Sequence, residues 1–134
     1  MMYTKPTRES LSKSGFPIAI ISGGSSEEVR KRFNHLGVTD IYLKSSNKWD
    51  DYEDFRFKYG FEHEEILYMG DDVPDIPVMQ RVGVAACPAD ASHEVREISG
   101  YISELGGGQG CVRDVIEQVL RLNDKWLNND AFQW

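Results

Sequence analysis

Three places in this chain combine residue types and spacings that could do chemistry. Gly70-Asp71-Asp72-Val73-Pro74-Asp75 gathers three carboxylates within six residues. Such a cluster repels itself unless a cation or hydrogen-bond donors neutralise it, and oxygen-only ligands suit Mg2+. A solvated acidic loop, or a helix cap at Asp75, is the plainer alternative. Ser22-Gly23-Gly24 offers a hydroxyl and accessible backbone N–H groups, a setting that suits phosphate oxygens. A strand-to-helix turn that needs glycine would read the same way. Lys48 stands at the start of an expected helix, where a cation is mildly unfavourable, so it invites a search for an anionic partner.

Other candidates carry less. Gly106-Gly107-Gly108 precede the last expected helix and could approach a phosphate, yet a flexible loop or a subunit contact explains them equally well. His35, His63 and His93 lie far apart and have no ligand spacing. Ser22 has no G-x-S-x-G setting and no nearby histidine, which argues against a serine hydrolase. Trp49, Tyr52, Phe55 and Tyr59 recur at helical intervals and read as core.

The elements that must position these groups alternate between strands and helices. Ile18-Ala19-Ile20-Ile21 is a continuous apolar run that suits a strand covered on both faces. Ser25 and Glu28 then stand in capping-box spacing ahead of Val29, Phe33 and Leu36, and Gly37 stops that helix. Ile41-Tyr42-Leu43 predicts a second strand, Asn47 the cap of a helix closed by Gly60, and Glu65-Ile66-Leu67-Tyr68-Met69 a third strand. A loop and short helix over 73–82, a strand at Val84-Ala85-Ala86, a short helix over 92–98 and a last strand at Tyr101-Ile102 follow. The glycine loop 106–110 leads into a helix with Val112, Val115, Ile116, Val119 and Leu120 on one face. This order implies an α/β fold with a mainly parallel sheet between helical layers. In such sheets ligands bind beyond the carboxyl ends of the strands, where all three candidate positions fall. Residues 1–14 are polar and unpatterned and read as an irregular leader, with one helical turn near Leu11, and residues 126–134 read as a C-terminal tail.

The 134 residues, 40% of them hydrophobic, suffice for one domain with a modest core. Fifteen Lys plus Arg against 22 Asp plus Glu leave a net charge of −7, which argues against nucleic acid and anionic membranes as partners. Two cysteines outside any C-x-x-C spacing read as reduced thiols, and no apolar run is long enough for a signal peptide or membrane span, so the expected location is the cytoplasm.

Taken together, strand-Ser22, Lys48 at a helix start and strand-Gly70-Asp71-Asp72-x-x-Asp75 resemble the second, third and fourth signature motifs of the haloacid dehalogenase superfamily. Ala19-Ile20-Ile21-Ser22-Gly23, Ser46-Asn47-Lys48, Tyr68-Met69-Gly70-Asp71-Asp72, Pro77-Val78-Met79 and Gly107-Gly108-Gln109-Gly110-Cys111-Val112-Arg113 are similar to the 3-deoxy-D-manno-octulosonate 8-phosphate phosphatases. The similarity covers about residues 15–125. It implies a single Rossmann-like domain, a sugar-acid phosphate as substrate, and Mg2+ as cofactor with Asp71 as its ligand. It further implies that Ser22, Gly23 and Lys48 hold phosphate, that Asp72 and Asp75 support the site, and that the chain forms a homo-oligomer, a tetramer by family.

Three departures matter. The family's nucleophile is the first Asp of a D-x-D motif on an N-terminal strand, and no D-x-D occurs in these 134 residues. The β-hairpin cap that follows that strand is also missing, and the lost strand is expected to leave a gap in the middle of the sheet. Gly24 stands where many relatives carry a basic or polar side chain. The expected function is a Mg2+-dependent sugar-phosphate phosphatase that is incomplete, and inactive, as this isolated chain. A non-catalytic scaffold or oligomerisation domain, like those attached to CMP-sialic acid synthetases, is the alternative. A receiver-like module ranks below both, because a receiver carries acidic partners after its first strand, and here the first recognisable strand ends in Ser22-Gly23.

Overall fold

The computed structural model describes residues 2–4, 17–24, 31, 38, 40–107 and 109–122. The sheet follows from apolar runs that cannot be left half wet. Strands β2 (Ile18–Ile21), β3 (Asp40–Tyr42), β4 (Ile66–Met69), β5 (Val84–Cys87) and β6 (Tyr101–Ile102) form where the sequence predicts them, within one or two residues. Pairs β2/β3, β4/β5 and β5/β6 are parallel.

Between β2 and β4, where a gap was expected, lies a further strand, β1 (Met2–Thr4). The sheet therefore has the order β3-β2-β1-β4-β5-β6. β1 runs antiparallel to both neighbours, pairing Met2 with Ala19 and Tyr68, and Tyr3 with Ile18 and Leu67. This corrects the expected irregular leader at residues 2–4. The physical reason is that β2 and β4 each present an inner row of N–H and C=O groups that must be paired once buried, and Met2–Thr4 supplies partners to both. The helical turn expected near Leu11, the helix expected between Ser25 and Gly37 apart from Lys31, and the tail at 126–134 lie outside the described residues.

Period-two alternation sends strand side chains to opposite faces of the sheet. Ile66, Tyr68, Ala85 and Cys87 join Ala19 and Ile21 in a core completed by helices α1 (Lys48–Tyr59), α2 (Ile76–Met79) and α3 (His93–Ile98), through Tyr52, Phe55, Val78 and Val95. Their alternates Met69 and Ala86 pack instead with Cys111 and Val115 of α4 (Cys111–Leu122). The sheet is thus covered on both faces, as a parallel arrangement requires. Both cysteines are buried and unpaired.

The aromatic stripe of α1 is core as expected: Tyr52 and Phe55 are fully buried, with Trp49 and Tyr59 packed against them. On α4 the expected face is shifted, since Cys111, Val115 and Ile116 are buried while Val112 is exposed. Asn47 caps α1 by accepting from the Trp49 N–H at 3.1 Å, and Gly60 ends it in the left-handed region at φ 71°, a conformation that favours glycine. Buried Asp40 of β3 accepts from Lys58 and from the Tyr59 hydroxyl, fixing the far end of α1 to the sheet edge.

Candidate active site

Because β2, β3, β4 and β5 share one direction, their carboxyl ends meet at one edge of the sheet, and the loops leaving them are bonded together. The Ser22 N–H donates to Tyr42 O at 2.9 Å, the Lys44 N–H to Gly24 O at 2.7 Å and the Ser45 N–H to Ser22 O at 3.0 Å. The Ser22 hydroxyl oxygen accepts from the Gly24 N–H at 3.1 Å, closing a tight turn. From the other half of the sheet, the Ser92 N–H donates to Asp71 O at 3.0 Å. The hydroxyl oxygens of Ser45 and Ser92 are buried without a partner, two costs in a site that otherwise satisfies its polar groups.

Asp75 is the hub. Its side chain is 2% exposed and accepts four hydrogen bonds. Oδ1 takes the Lys48 ammonium at 2.9 Å and the Tyr68 hydroxyl at 2.6 Å, while Oδ2 takes the Asp71 and Asp72 N–H groups at 3.1 and 3.2 Å. Burial works to raise the Asp75 pKa. Hydrogen bonds from Lys48 and Tyr68, the Lys48 charge and the Asp71 N–H outweigh it and hold the carboxyl below its ordinary range. Burial first, then the Asp75 charge and hydrogen bond, push the Tyr68 hydroxyl far up, so it stays protonated and donates. Gly70 makes this approach possible: a Cβ there would lie 2.5 Å from Asp75 Cβ and 2.8 Å from Met79 Sδ.

Lys48 thus has the anionic partner its position asks for, and that partner lies on a different element 27 residues away. An ammonium has three donors, and Asp75 uses one of those of Lys48, whose side chain is 24% exposed. The loop after β3 and the loop after β4 are therefore locked at the same mouth that carries Ser22, Gly23 and Gly24.

The three carboxylates do not converge. Asp75 is turned inward and saturated, whereas Asp71 and Asp72 are exposed, and Asp72 Oδ1 caps the following 3-10 turn through the Val73 N–H at 2.7 Å. Among the described residues no three His, Cys, Asp or Glu side chains form a metal-holding group. Mg2+ is commonly held by one or two carboxylates, with water and substrate phosphate completing its six oxygens. Exposed Asp71 fits that minimal role, and a closed protein cage is not formed. The glycine loop, weighed above as a phosphate cradle, is already engaged: Asp90 accepts from the Gly107 N–H at 2.7 Å, and Gln109 Oε1 from the Gly106 N–H at 3.2 Å. His63 bonds the Tyr52 hydroxyl at 2.6 Å and His93 pairs with Glu97 at the surface; neither joins the site.

Sequence reasoning missed Tyr68 as a member of the site. The available signal was a phenol inside an apolar strand, which on burial must find a hydrogen-bond partner. The middle of the sheet edge is reached by β1, whose residues Met2, Tyr3 and Thr4 include no carboxylate.

Comparison with known proteins agrees with this frame. A family model for haloacid dehalogenase-like hydrolases matches residues 4–83. The 3-deoxy-D-manno-octulosonate 8-phosphate phosphatase of Escherichia coli (strain K12) is 35% identical over 112 residues, covering 84% of this chain and 60% of that protein. The crystal structure of the Yersinia pestis enzyme of the same name matches with a TM-score of 0.81 and 34% identity, over 84% of this chain and 60% of that one. The Moraxella catarrhalis enzyme, solved in complex with magnesium, phosphate and KDO, matches with a TM-score of 0.81 and 32% identity, over 87% of this chain and 67% of that one. The chain therefore spans 60% of the length of the curated relatives it matches. Its sheet order, its linked Ser22, Lys48 and Asp71–Asp75 loops and these similarities together show that the chain belongs to the haloacid dehalogenase-like hydrolase family, and within it resembles the 3-deoxy-D-manno-octulosonate 8-phosphate phosphatases.

Proposed function

We propose that the carboxyl edge of the sheet binds the phosphate of a sugar-acid phosphate of the 3-deoxy-D-manno-octulosonate 8-phosphate type, and that this chain by itself does not hydrolyse it. The observation that carries the reading is the Asp75 hub, which holds Lys48 and the Asp71 and Asp72 backbone in one rigid arrangement. Beside it, β1 brings no carboxylate to the middle of the sheet.

Phosphoryl transfer needs positive charge around the equatorial oxygens and a nucleophile in line with the leaving oxygen. The two free donors of Lys48, the Ser22 hydroxyl and the Gly23 backbone serve the first need. Asp71 would hold Mg2+, which when bound supplies further charge neutralisation at those oxygens. The D-x-D that would serve the second need is not present in these 134 residues. The same reading includes a homo-oligomer, a tetramer by family, working in the cytoplasm on a small anionic substrate and on neither nucleic acid nor membrane. No helix of the described residues is long and apolar enough to cross a membrane. The oligomerisation-scaffold alternative has no observation of its own in its favour.

Calorimetric titration of 3-deoxy-D-manno-octulosonate 8-phosphate in Mg2+ buffer tests the binding half. Wild type binds, and Ser22→Ala and Lys48→Ala each weaken binding by on the order of tenfold, the scale of one charge-assisted hydrogen bond. Thermal melts identify any loss that comes from unfolding in Lys48→Ala, which also strips a partner from Asp75. Wild-type protein that binds no substrate overturns the reading.

A further inference from the structure

Lys44 is the only described non-glycine residue with positive φ, at 56°. That left-handed conformation is costly for an L-residue and free for glycine, so a lysine there is an outlier whose backbone is held by its surroundings. The hold is visible: the Lys44 N–H is bonded to Gly24 O at 2.7 Å, and the next N–H, of Ser45, to Ser22 O at 3.0 Å. The strained residue is therefore fastened, through its backbone, to the Ser22-Gly23-Gly24 turn. Its side chain is exposed and has no ion-pair partner among the described residues.

The charge balance of this edge makes that cation informative. Lys48 is already paired with Asp75, while Asp71 and Asp72 stand exposed on the neighbouring loop. Among the described residues, a dianionic phosphate entering here meets two exposed carboxylates and one lysine whose charge is shared. Gly24, exposed in the turn itself, contributes no side chain.

We propose that Lys44 is a further phosphate-binding residue, which supplies from the β3 loop the cation that the Ser22-Gly23-Gly24 turn lacks. This rests on the phosphate-site reading above and adds a residue to it. Arginine keeps the charge. Glycine removes both the charge and the strain, so the two effects of a single substitution have opposite signs.

The test is calorimetric binding of inorganic phosphate in Mg2+ buffer at fixed ionic strength, beside thermal melts, for wild type, Lys44→Gly, Lys44→Arg and Ser22→Ala. Lys44→Gly is expected to weaken phosphate binding by on the order of fivefold while raising the melting midpoint by a few degrees, a combination that general destabilisation cannot produce. Lys44→Arg stays within about twofold of wild type. Binding of unphosphorylated 3-deoxy-D-manno-octulosonate is unchanged by Lys44→Gly. If Lys44→Gly leaves phosphate affinity intact while Ser22→Ala lowers it, the role of Lys44 is overturned and the phosphate site stands. A loss confined to the unphosphorylated sugar acid overturns it too. Wild-type protein that binds no phosphate removes the site and Lys44 together.

Discussion

Asp75 shows how one carboxylate can organise a site it does not serve directly. Its four donors come from α1, β4 and the loop between β4 and α2, so removing its charge loosens three segments at once. Asp75→Asn keeps the shape but must point an amide N–H at groups that are themselves donors, and is expected to cost about 2–3 kcal/mol at pH 7. The folded pKa of Asp75 is depressed, so its contribution is complete above the ordinary value of 3.8 and is lost as pH falls through the lower folded value. Urea unfolding in Mg2+-free buffer should therefore show a wild-type advantage over Asp75→Asn that is constant from pH 5 to 8 and shrinks in more acid solution. A gap that widens toward acid contradicts the assignment. The sequence made Lys48 legible as a cation in want of a partner, because a helix N-terminus disfavours it. It did not reveal which carboxylate answers, since only the fold brings together residues 27 positions apart.

The element that matters most is among the shortest. β1 has three residues, too few for an alternation to show, and its strand character comes from the slot between β2 and β4 and not from its own pattern. By contrast, β2, β4 and β5 were legible because continuous apolar runs bounded by glycine leave few alternatives, and α1 because Asn47, its aromatic stripe and Gly60 mark start, face and stop. A proline in a central strand removes a ladder hydrogen bond and is normally confined to edges. Tyr3→Pro should therefore cost about 3 kcal/mol in denaturant unfolding, because β1 is bonded on both sides. An unchanged midpoint and slope would falsify the central placement of β1.

At the scale of the whole molecule, a sheet covered on both faces carries the candidate groups Ser22, Lys48 and Asp71 at one edge, in a chain of net charge −7. The family was legible from the order of Ser22, Lys48 and Asp71 along the chain, and it is now shown by the family match over residues 4–83. The antiparallel closure of the sheet was not legible, since the sense of a strand depends on how the chain returns to it. The proposed phosphate site, joined to the absence of a D-x-D nucleophile, predicts binding without turnover, so catalysis decides the proposal. The direct measurement is phosphate release from 3-deoxy-D-manno-octulosonate 8-phosphate in Mg2+ buffer, with the Escherichia coli relative as positive control. No release above background is expected from this chain. Steady turnover that Asp71→Ala abolishes would contradict the proposal.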